Sequence, residues 1–135
     1  MSDTTTPTGN DAIVLAGYAA FGRGDMPALS RLFAADAVWT HRNAGRLGGS
    51  KHGFEAIAAF FGESVELSAG TLRVEPRAAI GEGDTVAVLT HMTARRPDGR
   101  VLDDEQVHLF HMRDGMAVAV DQYIGDPAAV EAFWA

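Results

Sequence analysis

The spacing of apolar residues is helical in the first half of the chain and alternating in the second. NDAIVLAGYAAFGRGD repeats apolar residues every three to four positions, which predicts an amphipathic helix. Its apolar stripe consists of Ile13, Val14, Gly17, Tyr18 and Phe21. Asn10 or Asp11 can cap the start of this helix. Gly22 and Gly24 can end it.

Two more helices and one strand are predicted before residue 70. Asp25 can cap a short helix, MPALSRLFA, with Pro27 in its first turn, where proline is tolerated. AVWTH, at 37–41, predicts a short strand, and RNAGRLGGSKHG predicts a glycine-rich loop. A third helix, FEAIAAFFGESVEL, has its apolar side on Phe54, Ile57, Phe60 and Phe61.

After Gly70 the pattern predicts strands only. They cover 71–80, 85–96, 101–112 and 116–124, separated by GEGD, PDG and DG turns, and DPAAVEAFWA closes the chain as a tail. The order α-α-β-α-β-β-β-β, with early helices and a late meander, predicts an α+β fold with helices on one face of an antiparallel sheet. In 85–92 both faces are largely apolar, so we expect a second subunit to cover the outer face and form a homodimer.

Composition narrows the class of protein. The 135 residues predict one domain over 10–135, after a disordered polar tail at 1–9. A net charge of −7 without a basic run argues against a nucleic-acid partner. No stretch is long and apolar enough to span a membrane, so we do not expect a membrane as a partner either. The absent cysteines and the missing signal-peptide pattern lead us to expect a cytoplasmic protein.

The stretch QVHLFHMRDGMAVAVDQY carries the candidate chemistry. On a strand, the odd separation of His108 and His111 sends them to opposite faces, so they cannot share a metal, and no metal site is expected. A two-residue turn at Asp114-Gly115 would put His108 opposite Asp121, as an Asp–His pair. A three-residue loop with a bulge at Gly115 would put Gln122 on the His108 face instead. The residues alone leave both registers open.

Three segments together resemble a known family. YAAFGRGDMPALSRLFAADAVW, FEAIAAFF and VHLFHMRDGMAVAVDQY are similar to the SnoaL-like polyketide cyclases, within the superfamily of ketosteroid isomerases and nuclear transport factor two. The resemblance covers about residues 11–133. It implies a cystatin-like cone: a strongly curved antiparallel sheet wrapped around three N-terminal helices, with an internal pocket and dimerisation through the sheet.

The resemblance also suggests site positions. The isomerase base falls at His41, the oxyanion-hole acid falls at His108, and the first-helix tyrosine falls near Tyr18. The final-strand aspartate of the cyclases falls at Gln122, which favours the register with Gln122 in the pocket and Asp121 toward the other face. This chain therefore departs from both enzyme patterns while keeping polar groups at the pocket positions.

These observations define the candidate site. His108, His41 and Tyr18 are the candidate catalytic residues, with Asp121 added only if the first register holds. The expected pocket-lining residues are Trp39, Phe60, His91, Phe110, Gln122 and Ile124. No cofactor is expected.

Three functions are compatible with the predicted fold and site. One is proton transfer next to the carbonyl of a small apolar substrate, as in isomerisation or aldol cyclisation. The second is ligand binding without turnover, which the missing aspartate favours. The third is protein interaction through the outer sheet face.

Overall fold

The computed structural model describes residues 9–135, so the predicted tail at 1–9 lies, apart from Gly9, outside the described part. Within this part of the chain, four helices and six strands follow one another. They are α1 (Asn10–Arg23), α2 (Met26–Leu32), β1 (Phe33–His41), β2 (Gly49–His52), α3 (Phe54–Leu67), β3 (Arg73–Glu82), β4 (Thr85–Arg95), β5 (Val101–Arg113), β6 (Met116–Tyr123) and α4 (Pro127–Trp134).

The six strands form one curved, unclosed sheet in the order β2-β1-β6-β5-β4-β3. Four of its pairs are antiparallel, as predicted, but β1 and β6 run parallel. The predicted α+β fold class is confirmed. The sheet's inner face packs on the helices, and Ile57 of α3 is fully buried in the resulting core.

The N-terminal helices largely follow their sequence signals. Helix α1 starts at Asn10 behind Gly9, so neither Asn10 nor Asp11 is its N-cap, and it ends in the left-handed Gly24 (φ 69°). The carboxylate of Asp25 accepts the Ala28 N–H at 3.1 Å and caps α2, as predicted. Strand β1 begins directly after α2, at Phe33, four residues earlier than the expected strand.

Two elements were not predicted. Strand β2 pairs with β1 inside the stretch expected to be only loop, and it places Lys51 opposite Trp39. Helix α4 forms where a tail was expected. Its N-cap is Asp126, which accepts the Ala129 N–H at 3.1 Å, and Pro127 occupies its first position.

The β5–β6 hairpin combines features of both predicted registers. Arg113 pairs with Met116 across a two-residue turn, in which Asp114 (φ 52°) and Gly115 (φ 75°) are both left-handed. Two pairs further on, the register shifts by one residue, which leaves Val118 as the extra residue of a bulge. His108 therefore pairs with Gln122. The bulge lies within β6 and not at Gly115, where the second register had it.

Candidate functional site

The inner face of the sheet and the helices enclose an almost wholly apolar cavity of about 70 Å³. An apolar cavity of roughly 150 Å³ takes up benzene, so a ring-sized ligand needs side chains to move. The cavity is lined by Val14, Gly17, Tyr18, Phe21, Leu29, Leu32, Phe33, Trp39, His41, Leu47, Phe60, Phe61, Ser64, Leu72, Val74, Met92, His108, Phe110, Gln122 and Trp134.

Tyr18 and His108 form a hydrogen-bonded pair in this cavity. The Tyr18 hydroxyl lies 2.6 Å from His108 Nδ1, and the two rings stack with their centroids 5.9 Å apart. His108 is 1% exposed. Burial, and to a smaller degree repulsion from the His41 charge, lowers the pKa of His108 to about 3. Burial also raises the pKa of Tyr18. Both groups are therefore neutral near pH 7.

Behind His108, polar side chains form a buried network. Gln106 Oε1 lies 3.1 Å from His108 Nε2 and accepts the Gln122 amide N–H at 2.8 Å. Gln122 Oε1 in turn accepts the indole N–H of Trp39 at 2.9 Å. The Gln106 amide donates to Asp104 Oδ2 at 3.0 Å. Each of these polar side chains thus has a partner, as buried polar groups require.

His41 differs from His108 in having unused hydrogen-bonding capacity. It is 3% exposed, and its Nδ1 is buried without a hydrogen-bond partner among residues 9–135. Its ring packs edge-on against Phe60 at 5.9 Å between centroids. Burial, followed by the nearby Lys51 cation, lowers the pKa of His41 to about 4. A neutral imidazole with a free nitrogen therefore lines the cavity at physiological pH.

Most of the residues expected in the pocket line one cavity. His41, Tyr18 and His108 do so, and the lining also includes Trp39, Phe60, Phe110 and Gln122. This places them together, while their roles in catalysis or binding stay predictions. Ile124 is half-buried against the core and does not line the cavity.

Asp121 and His91 lie outside the cavity. The bulge turns Asp121 to the outer face, where its carboxylate accepts Arg42 Nη2 at 2.6 Å and lies 3.3 Å from His111 Nε2. The conditional prediction that Asp121 pairs with His108 is therefore wrong. The expectation that His91 lines the pocket is also wrong, because alternation along β4 points this ring outward, 2.6 Å from Asp103.

Four further residues of this region were not predicted from the sequence: Asp104, Gln106, Ser64 and Trp134. Asp104 and Gln106 are four and two residues before His108 on one strand, so the alternation that selected His108 also selects them. Trp134 reaches the cavity from α4, whose start at Asp126-Pro127 resembles the Asp25-Met26-Pro27 start of α2. Ser64 lines the cavity from α3, and its hydroxyl donates to the Phe60 carbonyl at 2.9 Å.

Within residues 9–135, no three His, Asp or Glu side chains converge closely enough to hold a metal ion. None of the helices in that range is both long and apolar enough to cross a membrane.

Comparison with known proteins identifies the family. The SnoaL-like domain model matches residues 14–120. The chain belongs to the SnoaL-like domain family. The predicted family is thus confirmed.

Solved structures agree with this assignment. Bal32a, from a soil-derived mobile gene cassette, is 31% identical with a TM-score of 0.90, over 93% of this chain and 96% of its own. TerC, co-crystallised with polyporic acid, is 28% identical with a TM-score of 0.82, over 93% and 97%. A Xanthomonas campestris protein with a cystatin-like fold is 23% identical with a TM-score of 0.87, over 94% and 98%, which supports the same fold.

Proposed function

We propose that this SnoaL-like protein binds a small, mostly apolar carbonyl compound and catalyses proton transfer at the carbon next to the carbonyl, without a cofactor. The observation that carries the proposal is that His41, whose buried Nδ1 has no hydrogen-bond partner among residues 9–135, lines an apolar cavity. A buried polar atom without a partner is costly, and a catalytic role is one of the reasons for which native proteins keep such an atom. We assign the role of general base to His41.

The low basicity of His41 is compatible with this role. A pKa of about 4 keeps the ring neutral, and so able to accept a proton, throughout the physiological range. An established enzymatic proton transfer next to a carbonyl uses a base with a pKa of about 4.6, helped by donors at the carbonyl oxygen. His108 is less suited to be the base, because both of its nitrogens already have protein partners.

The Tyr18 hydroxyl is the group we assign to the substrate oxygen. It lines the same cavity as His41, and its ring is held by stacking on His108. As negative charge develops on the substrate oxygen, the Tyr18 hydrogen leaves its 2.6 Å contact with His108 Nδ1 and is donated to that oxygen instead. Loss of one such donor in other enzymes costs about 3–4 kcal/mol of transition-state stabilisation.

The test is deuterium exchange at the α-carbon of small ketones, followed by NMR in D₂O. We expect the protein to accelerate exchange, and His41→Gln to reduce the acceleration by about 100-fold or more, the usual range for a general base. His52→Gln, which changes an exposed histidine, serves as the matched control and should leave the rate unchanged. Exchange that is equal in the His41→Gln variant and the parent would contradict the assignment.

Binding without turnover is the second candidate function. It is favoured by the network behind His108, in which the Gln122 amide and both His108 nitrogens are already satisfied by the protein. Few polar groups are then left for catalysis. TerC suggests polyporic acid as a first ligand to test, with binding but no exchange as the outcome that favours this candidate.

We also propose a homodimer through the outer sheet face. Leu89, Val107 and Tyr123 are direct neighbours across β4, β5 and β6 on that face, and they are 42%, 37% and 44% exposed. Three adjacent apolar side chains at the centre of a sheet favour cover by another apolar surface. These three side chains form an apolar stripe on the outer face, and a second copy of the chain presents an identical stripe to cover it.

A further inference from the structure

We infer that Asp104 and Gln106 are positioning residues that fix His108 as its Nε2–H tautomer, so that the Tyr18 oxygen faces the ligand as an acceptor. The ligand class that follows is a small apolar molecule with an enolic or phenolic hydroxyl. The ligand class rests on the proposed function, since an enol is the intermediate of proton transfer next to a carbonyl. The tautomer does not depend on that function.

The first anchor of the network is Asp104, which is 6% exposed. Its carboxylate accepts the backbone N–H groups of Gly125 at 3.1 Å and Asp126 at 2.9 Å, at the start of α4. Backbone N–H groups only donate, and an ionised carboxylate only accepts. The Gln106 atom 3.0 Å from Asp104 must therefore be the amide nitrogen.

The second anchor is Trp39, at the opposite end of the network. Its indole N–H can only donate, so the Gln122 atom 2.9 Å away must be the amide oxygen. The Gln122 amide nitrogen then faces Gln106 and donates to it at 2.8 Å. The Gln106 atom that accepts this hydrogen must be the amide oxygen, in agreement with the orientation that Asp104 requires. The two anchors, on different strands, thus set the same amide orientation independently.

The orientation of Gln106 determines the proton position on His108. Because Gln106 Oε1 can only accept, His108 Nε2, 3.1 Å away, must carry the hydrogen. A neutral imidazole has one N–H, so Nδ1 has the lone pair and accepts the Tyr18 hydroxyl at 2.6 Å. The chain of donors therefore runs from Tyr18 through His108 and Gln106 to Asp104.

This direction determines what Tyr18 can offer to a ligand. The only hydroxyl hydrogen of Tyr18 is directed at His108, which leaves the oxygen lone pairs for the cavity. A ligand hydroxyl can donate to this oxygen and extend the chain, in which each hydrogen bond strengthens the next. A ketone oxygen lacks a hydrogen and must draw the Tyr18 hydrogen away from His108. The resting site thus fits the enol better than the ketone.

The tautomer is tested by ¹⁵N NMR of the imidazole nitrogens at neutral pH. We expect His108 to show the Nε2–H pattern in the parent protein and in Trp39→Phe, where Asp104 still orients Gln106. In Asp104→Asn alone, Trp39 and Gln122 still orient Gln106, so we expect the same Nε2–H pattern. In the double variant Trp39→Phe/Asp104→Asn both anchors are lost and the new amide can donate to Gln106 and reverse it, so we expect the Nδ1–H form to appear. An Nδ1–H pattern in the parent, or an unchanged pattern in the folded double variant, would overturn the inference.

Asp104 also holds the start of α4, so Asp104→Asn risks a loss of folding. Gln106→Leu and Gln106→Glu then provide the comparison. Glu, with one proton shared between its second oxygen and Asp104 Oδ2, keeps an acceptor 3.1 Å from His108 Nε2 and should retain the Nε2–H pattern, whereas Leu removes it and should give a tautomer mixture. Identical patterns in these two variants would overturn the role of Gln106.

The ligand class is tested with phenol, cyclohexanone and toluene, which have equal numbers of heavy atoms. We expect phenol to bind roughly fivefold more tightly than toluene or cyclohexanone, as one added hydrogen bond allows. Tyr18→Phe should abolish this preference. A preference for cyclohexanone would overturn the inference even if ketone exchange depends on His41. Absent exchange with the phenol preference intact would overturn the proposed function alone.

Discussion

The two inward-facing histidines of the sheet differ in how their nitrogens are satisfied. His108 has Tyr18 on one nitrogen and Gln106 on the other, whereas Nδ1 of His41 has no partner among residues 9–135. Burial lowers both pKa values, to about 3 for His108 and about 4 for His41. The first ring is therefore suited to orient Tyr18, and the second to react with a ligand.

These lowered pKa values make stability depend on pH. Below the ordinary histidine value of about 6.5, the unfolded chain binds protons that the folded protein excludes, so the free energy of unfolding falls as the pH falls. Each ring contributes up to about 1.4 kcal/mol per pH unit, His41 down to about pH 4 and His108 to about pH 3. Urea unfolding between pH 8 and pH 5 measures this slope.

The contribution of His41 is isolated by the variant His41→Gln. Between pH 6 and pH 5 this variant should take up about one proton fewer on unfolding than the parent. Its free energy of unfolding should therefore change less with pH, by about 1.4 kcal/mol per pH unit. His52→Gln, which changes an exposed histidine, is the matched control. Equal slopes in the parent and in His41→Gln would show that the native His41 ring takes up its proton as readily as the unfolded chain.

At the scale of elements, one residue of β6 decides which side chains enter the cavity. The turn at Asp114-Gly115 alone pairs His108 with Asp121, but the bulge at Val118 moves the register to Gln122. The turn follows from local backbone preferences, so the sequence predicts it. A bulge depends on how the strand packs and twists, and no residue type at Val118 signals it. The resemblance to the family, and not the local pattern, favoured Gln122.

Helix α1 provides a prediction at the same scale, because two of its glycines have different surroundings. A Cβ added at Gly17 would lie 2.5 Å from Leu32 Cδ2, whereas one at Gly22 would meet no atom within 4 Å. Alanine in a helix is favoured over glycine by roughly 0.5–1 kcal/mol, so Gly22→Ala should stabilise the protein by about that amount.

Gly17→Ala gains the same helix preference but overpacks the contact between α1 and α2, which typically costs about 1–3 kcal/mol. We expect a net loss of roughly 1 kcal/mol, measured by urea unfolding beside Gly22→Ala. A Gly17→Ala variant as stable as Gly22→Ala would show that Leu32 moves aside without cost and that this contact does not fix the position of α1.

For the molecule as a whole, the fold was predictable because its signals are local and repeated. Alternation along β4 and β5 and the helical stripes of α1 and α3 define which faces form the core. The parallel pairing of β1 with β6 was not predicted, since it joins Trp39 to Val120 across most of the chain and no local pattern encodes it. The network behind His108 likewise depends on this pairing, because it brings Trp39 to Gln122.

The outer sheet face gives the prediction for the assembled molecule. We expect a dimer in light scattering coupled to size exclusion, and a monomer for Leu89→Arg, which places a charge at the centre of the apolar stripe. Val65→Arg is the matched control, because Val65 is equally exposed, at 40%, but lies on α3. A monomeric parent protein at micromolar concentration, or dimers in both variants, would contradict the proposed interface.

The central claim is that the inner cavity is a ligand site built on His41 and the Tyr18–His108 pair. Ring NMR of the histidines from pH 8 to pH 5, with and without phenol, cyclohexanone or polyporic acid, tests it most directly. We predict that His41 and His108 stay neutral throughout and that at least one of these ligands shifts the resonances of both rings. Titration of both rings near about 6.5, with no response to any of these ligands, would contradict the claim.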